Sequence, residues 1–243
     1  MTLFEGRPVK RIVILTGAGI SAESGLATFR DSDGLWEKHN PMQIATPEAF
    51  RHDPDLVYRF YNARRVHLRS VHPNAAHHAL ARLQLEFHGE VFLVTQNVDD
   101  LHERSGSQQT CHMHGELDSM LCVACKVAQT AFANFDCDSC CPRCEEKGRL
   151  RPDIVWFGEM PYHMEMIFSQ LRKSDLFIAV GTSGAVYPAA GFVQEALSAG
   201  AQTLEINTRL SDVAGFFQHH RQGPATTEVV ALVEELLSGQ RSL

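Results

Sequence analysis

The 243-residue sequence has no apolar run close to the ~18 residues needed to cross a bilayer, and the run Ile12–Leu15 is only strand length. A membrane-spanning helix is therefore not expected. Met1–Lys10 lacks the apolar core that precedes a signal-cleavage site, so a cytosolic, reducing location is the expectation. Basic residues are outnumbered: 22 Lys and Arg against 29 Asp and Glu leave a formal net charge of −7, which disfavours a general grip on DNA or RNA backbones. Low-complexity and disordered classes are excluded by composition, because 44% hydrophobic and 21% charged residues are globular proportions. No internal repeat is visible.

Cysteine is nearly absent outside one stretch. Of the seven, Cys122, Cys125, Cys137, Cys140, Cys141 and Cys144 crowd together. A chain this long buries a core without disulfide staples, so metal binding is preferred to a disulfide framework. Cys122 with Cys125 and Cys141 with Cys144 are two C-x2-C pairs at a spacing suited to a four-thiolate zinc site. Cys137 and Cys140 form a third such pair, nearer to Cys125 than is usual. Cys141 and Cys144 are therefore favoured, with replacement of a ligand by Cys137 or Cys140 left open. Four thiolates saturate a tetrahedral ion, so such a zinc would be structural.

Four short runs rich in Val, Ile, Leu or Phe read as buried strands: Arg11–Thr16, Val91–Thr95, Asp175–Val180 and Thr203–Ile206. Helical patterns at Met164–Lys173, Ala189–Ala199 and Glu228–Leu237 alternate with the later ones. Alternation of this kind predicts an α/β fold with a Rossmann-like parallel sheet covered on both faces. Two stretches break it, about 40–87, which is helical, and about 119–149, which holds the cysteines. The expected division is a large domain of residues 1–39, 88–118 and 150–243, with 40–87 and 119–149 as a smaller helical and zinc-binding module.

Ligands of parallel sheets gather beyond the carboxyl ends of the strands. Small, polar residues follow each end here: Gly17, Ala18, Gly19, Ile20 and Ser21; Gln96, Asn97, Val98 and Asp99; Gly181, Thr182 and Ser183; Asn207, Thr208 and Arg209. The first group allows backbone N–H groups close to a phosphate. An ordinary dinucleotide fold would reach a second strand and a ribose-binding acid about twenty residues on, and none appears before Val91. A dinucleotide would be held differently. His114, in His112-Met-His-Gly-Glu116, is one of thirteen histidines, most of which serve packing or solvation; its position between a sheet loop and the cysteine stretch singles it out.

Taken in order, Gly17-Ala-Gly-Ile-Ser-Ala-Glu-Ser-Gly-Leu-Ala-Thr-Phe-Arg30, Thr95-Gln-Asn-Val-Asp-Asp-Leu-His102, His112-Met-His-Gly-Glu-Leu117, the cysteine pairs, Val155-Trp-Phe-Gly-Glu159 and Gly181-Thr-Ser183 resemble the sirtuins, NAD-dependent protein lysine deacylases. Gly34-Leu-Trp36, Phe60-Tyr-Asn-Ala-Arg-Arg65 and Tyr187-Pro-Ala-Ala-Gly191 are similar to the bacterial CobB-like, class III branch. The resemblance implies that NAD and an acyl-lysine of a protein substrate meet in a cleft between the two domains, beside one structural zinc. In that family nicotinamide leaves as the acyl oxygen attacks the ribose carbon C1′, and His114 matches the base that activates a ribose hydroxyl. Asn97 and Asp99 match residues holding the nicotinamide end, Phe29 and Arg30 a loop over the cofactor, and Phe157 a wall of the acyl-lysine tunnel. Trp36 and Ala225 match further cofactor contacts.

Two departures stand out. Ala27-Thr28 replaces the Pro-Asp frequent before Phe-Arg, and Glu145-Glu-Lys147 replaces two common glycines. Tyr61 and Arg64 lie at i, i+3 of the pattern from Asp53 to Leu68; by periodicity alone they belong to an ordinary amphipathic helix. The resemblance instead implies recognition of acidic acyl chains such as succinyl, with Ala45 leaving room. Physically, a guanidinium takes a carboxylate bidentately and a phenol adds a third bond. The expected activity is deacetylation with desuccinylation. Competing readings are deacetylation alone, mono-ADP-ribosyl transfer, a Rossmann NAD oxidoreductase with a structural zinc, and a zinc-ribbon module for nucleic acid. The last is poorly supported by a cysteine stretch short of lysine and interleaved aromatics.

Overall fold

The computed structural model describes residues 2–26, 40–131 and 133–239. A short antiparallel hairpin, β1 (Leu3–Phe4) and β2 (Arg7–Pro8), leads into β3 (Arg11–Thr16), followed by α1 (Pro47–His52), α2 (Pro54–Leu68), α3 (Ala75–Glu86) and β4 (Glu90–Thr95). Next come α4 (Leu101–Arg104), β5 (Thr110–His112), β6 (Gly115–Cys122), β7 (Ala128–Thr130) and β8 (Leu150–Ile154). The chain ends with α5 (Met164–Leu171), β9 (Leu176–Val180), α6 (Phe192–Ser198), β10 (Gln202–Asn207), β11 (His219–Gln222) and α7 (Ala225–Ser238).

Six strands form one sheet in the order β11-β10-β9-β3-β4-β5, and each neighbouring pair is parallel. Side chains alternate across a strand, so the apolar runs supply two cores at once. Ile12, Ile14, Leu176, Ile178 and Val180 pack with α3 and α7 on one face. Val13, Leu15, Phe177 and Ala179 pack with α5 and α6 on the other. The four strands read from sequence are all present.

Helix starts follow local chemistry. Thr46 accepts from the Ala49 N–H ahead of α1, Asp53 from the Leu56 N–H ahead of α2, and Asn74 from the Ala76 N–H ahead of α3. Pro47 and Pro54 occupy first-turn positions, where a missing N–H costs nothing.

The second unit is an antiparallel sheet, β7-β6-β8, with α1 and α2 against it. Fully buried Arg65 ties α2 to this sheet. Its Nε donates to the Leu117 carbonyl at 2.8 Å, its Nη1 to Asn62 Oδ1, and its guanidinium lies 4.8 Å from the centre of the Phe135 ring. The expected grouping of 40–87 and 119–149 requires two adjustments. α3 packs against α7 and the large sheet, since Ala76, Leu80 and Leu83 are apolar on the face that meets Leu232 and Leu236. β6 begins at Gly115 and pairs with β8, so residues 115–118 and 150–154, assigned to the large domain from sequence, form part of the smaller sheet.

Candidate active site

The strand order reverses between β3 and β9, and the loops leaving these two strands must diverge around a crevice. Glycine makes the junction possible. A Cβ on Gly19 would lie 2.6 Å from the Gly181 Cα, and one on Gly17 would lie 2.8 Å from the Gly181 carbonyl oxygen. Gly181 itself has φ of 62°, a left-handed conformation that favours glycine. The crevice opens into a cleft of about 1060 Å³.

Most of the residues singled out from sequence line this cleft. They include Gly17, Ala18, Gly19, Ser21, Gln96, Asn97, Val98, Asp99, His114, Gly181, Thr182, Ser183, Asn207, Thr208, Arg209 and Ala225, together with Tyr61, Arg64, Phe157 and Ala45. Ile20 does not line it: its side chain is fully buried in the core under α3 and α7, because the short turn after Gly17 directs it inward. Phe29, Arg30 and Trp36 lie outside the described residues. Sequence reading missed Glu23, which accepts from the Thr226 N–H and hydroxyl at the start of α7, and Trp156; both border the cleft.

His114 is fixed by one bond with a clear polarity. Its Nδ1 lies 3.0 Å from the Gln96 carbonyl oxygen, which can only accept, so Nδ1 carries the hydrogen. A neutral ring then keeps its lone pair on Nε2. Burial lowers the His114 pKa despite the Gln96 bond, which keeps the imidazole neutral at ordinary pH and available as a base.

On the cleft wall, Ser21, Asn97 and Asp99 form a bonded set. The Asn97 amide donates to Ser21 Oγ at 3.1 Å, and Ser21 donates to Asp99 Oδ2 at 3.1 Å. Burial raises the Asp99 pKa against the opposing bonds from the Leu101 N–H and Ser21. Two fully buried imidazoles back this set, with ring centres 5.0 Å apart. His77 accepts from the Asn74 N–H at Nδ1 and approaches Ser21 with Nε2, while His102 Nε2 lies 3.0 Å from Thr16 Oγ1. Among the described residues, His102 Nδ1 is buried with no hydrogen-bond partner. Protonating it would bury a charge on an unpaired N–H, and burial depresses His77 to about 3 and His102 to about 4.

At the other end of the cleft, the segment after β8 is held by backbone bonds from the Val155 N–H to the His114 carbonyl and from the Phe157 N–H to the Ala45 carbonyl, both 2.9 Å. Arg151 stacks on Trp156 at 3.6 Å and bonds both oxygens of Glu159, which also accepts the Trp156 N–H. The Trp156 indole N–H donates to the Tyr61 oxygen at 3.0 Å. Burial pushes the Tyr61 phenol up to about 12, so it keeps its proton. Arg64 lies one turn on, 5.6 Å from the Phe60 ring centre.

Cys122, Cys125, Cys141 and Cys144 converge with all four sulfurs within 4.8 Å of one another. The Cys122 to Cys144 and Cys125 to Cys141 sulfur separations are 3.7 and 3.8 Å. Four thiolates at ~2.3 Å from a tetrahedral zinc would stand roughly 3.8 Å apart, so the cluster fits that ion. Cys137 and Cys140 are exposed and outside it. The pairing favoured from spacing is the one the fold assembles.

Residues 17–188 match the Sir2 family. The chain is 53% identical over 233 residues to the NAD-dependent protein deacylase of Bdellovibrio bacteriovorus, covering 95% of this chain and 98% of that one. It is 49% identical over 234 residues to the NAD-dependent protein deacylase of Escherichia coli, covering 96% and 84% respectively. A Sir2 homolog solved in complex with NAD superposes with a TM-score of 0.87 at 35% identity, over 95% of this chain and 90% of the other. The chain belongs to the Sir2 family, and among the described residues no helix is long and apolar enough to cross a membrane.

The buried imidazoles give a pH signature. Their folded pKa values lie below the unfolded value of 6.5, so their contribution to stability is complete above that pH and is lost as pH falls toward about 4. Each pH unit in that window costs up to about 1.4 kcal/mol per imidazole. Urea unfolding should therefore give a lower stability at about pH 5 than at about pH 6.5, with a smaller difference in His102→Gln. Equal stabilities at the two pH values would show that the pair is not neutral in the folded protein.

Proposed function

We propose that the protein is an NAD-dependent protein-lysine deacylase that removes acetyl and succinyl groups. The observation that carries this reading is His114, a neutral imidazole with a fixed tautomer on a cleft that also holds Asn97, Asp99 and the glycine loops. The cleft's donor and acceptor set suits NAD: an amide and a carboxylate for the carboxamide and ribose, and glycine backbone for the phosphates. When bound, NAD supplies an electrophilic ribose carbon and nicotinamide as leaving group. His114 Nε2 takes a proton from a ribose hydroxyl, and Gln96 keeps the ring in that tautomer. Phe157 walls the acyl-lysine tunnel, and the extended segment around it accepts the peptide by strand addition.

For the acyl group, Ala45, Tyr61 and Arg64 border the same end of the cleft. The indole N–H can only donate, so the Tyr61 oxygen accepts from Trp156 and its own hydrogen remains for an acceptor such as a carboxylate. Arg64 adds the charge. The cysteine cluster holds a structural zinc; it has no vacant position for substrate and serves to join β6 and β7 to the loop before β8. We also infer two domains, the large sheet with its helices and the smaller sheet with α1 and α2.

Mass spectrometry of one acetylated and one succinylated lysine peptide, each with and without NAD, tests the reading. Both should lose their acyl group only with NAD, releasing nicotinamide and no NADH; NADH formation would favour an oxidoreductase. His114→Ala should lower turnover by about 10²- to 10⁴-fold while NAD still binds. Near-normal turnover in that variant would remove His114 from the mechanism.

Arg64→Met should lower kcat/KM for the succinylated peptide by at least about tenfold, chiefly through KM, since a charged hydrogen bond contributes about 1.5–3 kcal/mol. Deacetylation should be spared, and a parallel loss of both activities would reduce Arg64 to a supporting helix residue. Purified protein should contain about one zinc per chain. Cys141→Ser should lose it and Cys137→Ser should keep it; the reverse pattern would overturn the ligand assignment.

A further inference from the structure

His112, two residues before His114, has no role in the reading above, yet both its ring nitrogens are engaged. Nδ1 lies 3.2 Å from the Asn97 carbonyl oxygen, and Nε2 lies 3.0 Å from Glu103 Oε1 on α4. Both partners accept, and a neutral imidazole has one N–H to give. An imidazolium has two and satisfies both. The ring is buried while Glu103 stands at the surface, so the carboxylate closes the outer side of a cationic plug behind the cofactor loop.

The connection to the cleft is direct. The end of β5 is zipped onto the segment leaving β4 by three bonds: the Met113 N–H to the Thr95 carbonyl, His114 Nδ1 to the Gln96 carbonyl, and His112 Nδ1 to the Asn97 carbonyl. Successive peptide groups of Thr95–Asn97 are thus held from one strand end. The same Asn97 carries the side-chain amide that bonds Ser21 and borders the cleft.

We propose that Glu103 and His112 form a positioning pair, an imidazolium and carboxylate that hold the Asn97 carbonyl and so orient the Gln96–Asp99 loop toward the nicotinamide end of NAD. The inference rests on the deacylase reading for its kinetic test. Around His112 the facing titratable groups are Glu103 and the neutral His102 on α4, Asp99 on the loop and Glu116 on β6. Burial alone would lower the His112 pKa, but the Glu103 bond and charge, with Glu116 and the Asn97 carbonyl, raise it above 6.5. Partial desolvation would likewise raise Glu103, and the bond to and charge of His112 outweigh it and hold the carboxyl at about 2. The charged pair is lost as pH rises through this raised His112 pKa. Removing the Glu103 carboxylate leaves burial opposed only by Glu116 and the Asn97 carbonyl, and the imidazole becomes neutral at lower pH.

The test compares wild type, Glu103→Gln and Glu103→Asp with an acetyl-lysine peptide and varied NAD between about pH 6 and pH 9. Glu103→Gln should raise KM for NAD about tenfold while KM for the peptide changes little, and should move the alkaline limb of kcat/KM for NAD to lower pH. Glu103→Asp, which keeps the charge, should restore much of both. Nitrogen-15 NMR of the histidine rings should find His112 charged near pH 7 in wild type and neutral in Glu103→Gln. Superimposable pH profiles and NAD KM values would overturn the proposal, as would a neutral His112 in wild type. A loss of thermal stability with those kinetic values unchanged would make the pair scaffold only. If wild type consumes no NAD with the peptide, the deacylase reading fails instead, and the NMR titration still decides whether the charged pair exists.

Discussion

Two glycine backbones meet where the sheet reverses its strand order, and the cleft depends on that contact. A Cβ on Gly181 would lie 2.5 Å from the Ile20 nitrogen, and one on Gly19 would lie 2.6 Å from the Gly181 Cα. Any side chain there would have to push backbone away from backbone, which no rotamer change can relieve. Because the loops after β3 and β9 touch, the Gly17–Ser21 turn stays low over the strand ends and leaves room above it. Ile20 follows from the same geometry, turned into the core to anchor the loop from below.

The polar layer beneath the cleft is organised around donors and acceptors whose directions are forced. Backbone carbonyls fix which nitrogen of His114 carries hydrogen, and the Asn74 N–H does the same for His77 by donating to its Nδ1. Burial lowers the pKa of fully buried His77 and His102 and of half-buried His114, while His112 alone among these four has its pKa raised, because a carboxylate reaches it. One short stretch of sequence, His112-Met-His114, thus carries two imidazoles whose pKa values shift in opposite directions, and the difference comes from neighbours 9 and 18 positions away in the chain.

The end of the cleft lined by Tyr61, Arg64 and Phe157 is built on the smaller sheet and is braced by arginines that stack and bond at the same time. Arg151 covers the Trp156 ring and clamps Glu159, and Trp156 in turn fixes the Tyr61 oxygen. Arg65 locks α2, which carries Tyr61 and Arg64, onto β6. A planar guanidinium suits this use because its face packs on an aromatic while its edge donates. The sulfur cluster at the far side of the same sheet holds the β6–β7 turn against the loop that leads to β8.

Much of this was legible in the sequence. Continuous apolar runs gave away β3, β4, β9 and β10, since strands buried on both faces leave a local signature, and the C-x2-C spacing favoured the converging sulfurs over Cys137 and Cys140 without excluding these two. The glycine turns and the residues after each strand marked the cleft, because such sheets place ligands at strand ends whatever the details. Other features were decided only by tertiary structure. β11, His219–Gln222, is a polar edge strand with no apolar pattern, recognisable only by its pairing with β10. α3 reads like any amphipathic helix, and periodicity cannot say which sheet its apolar face will meet. The raised pKa of His112, the neutrality of His102 and the hydrogen that Tyr61 has left to offer depend on the folded surroundings of each residue. Local spacing determines which elements form and which chemistry is available; protonation state and hydrogen-bond direction are set by burial and by neighbours that meet only when the chain is folded.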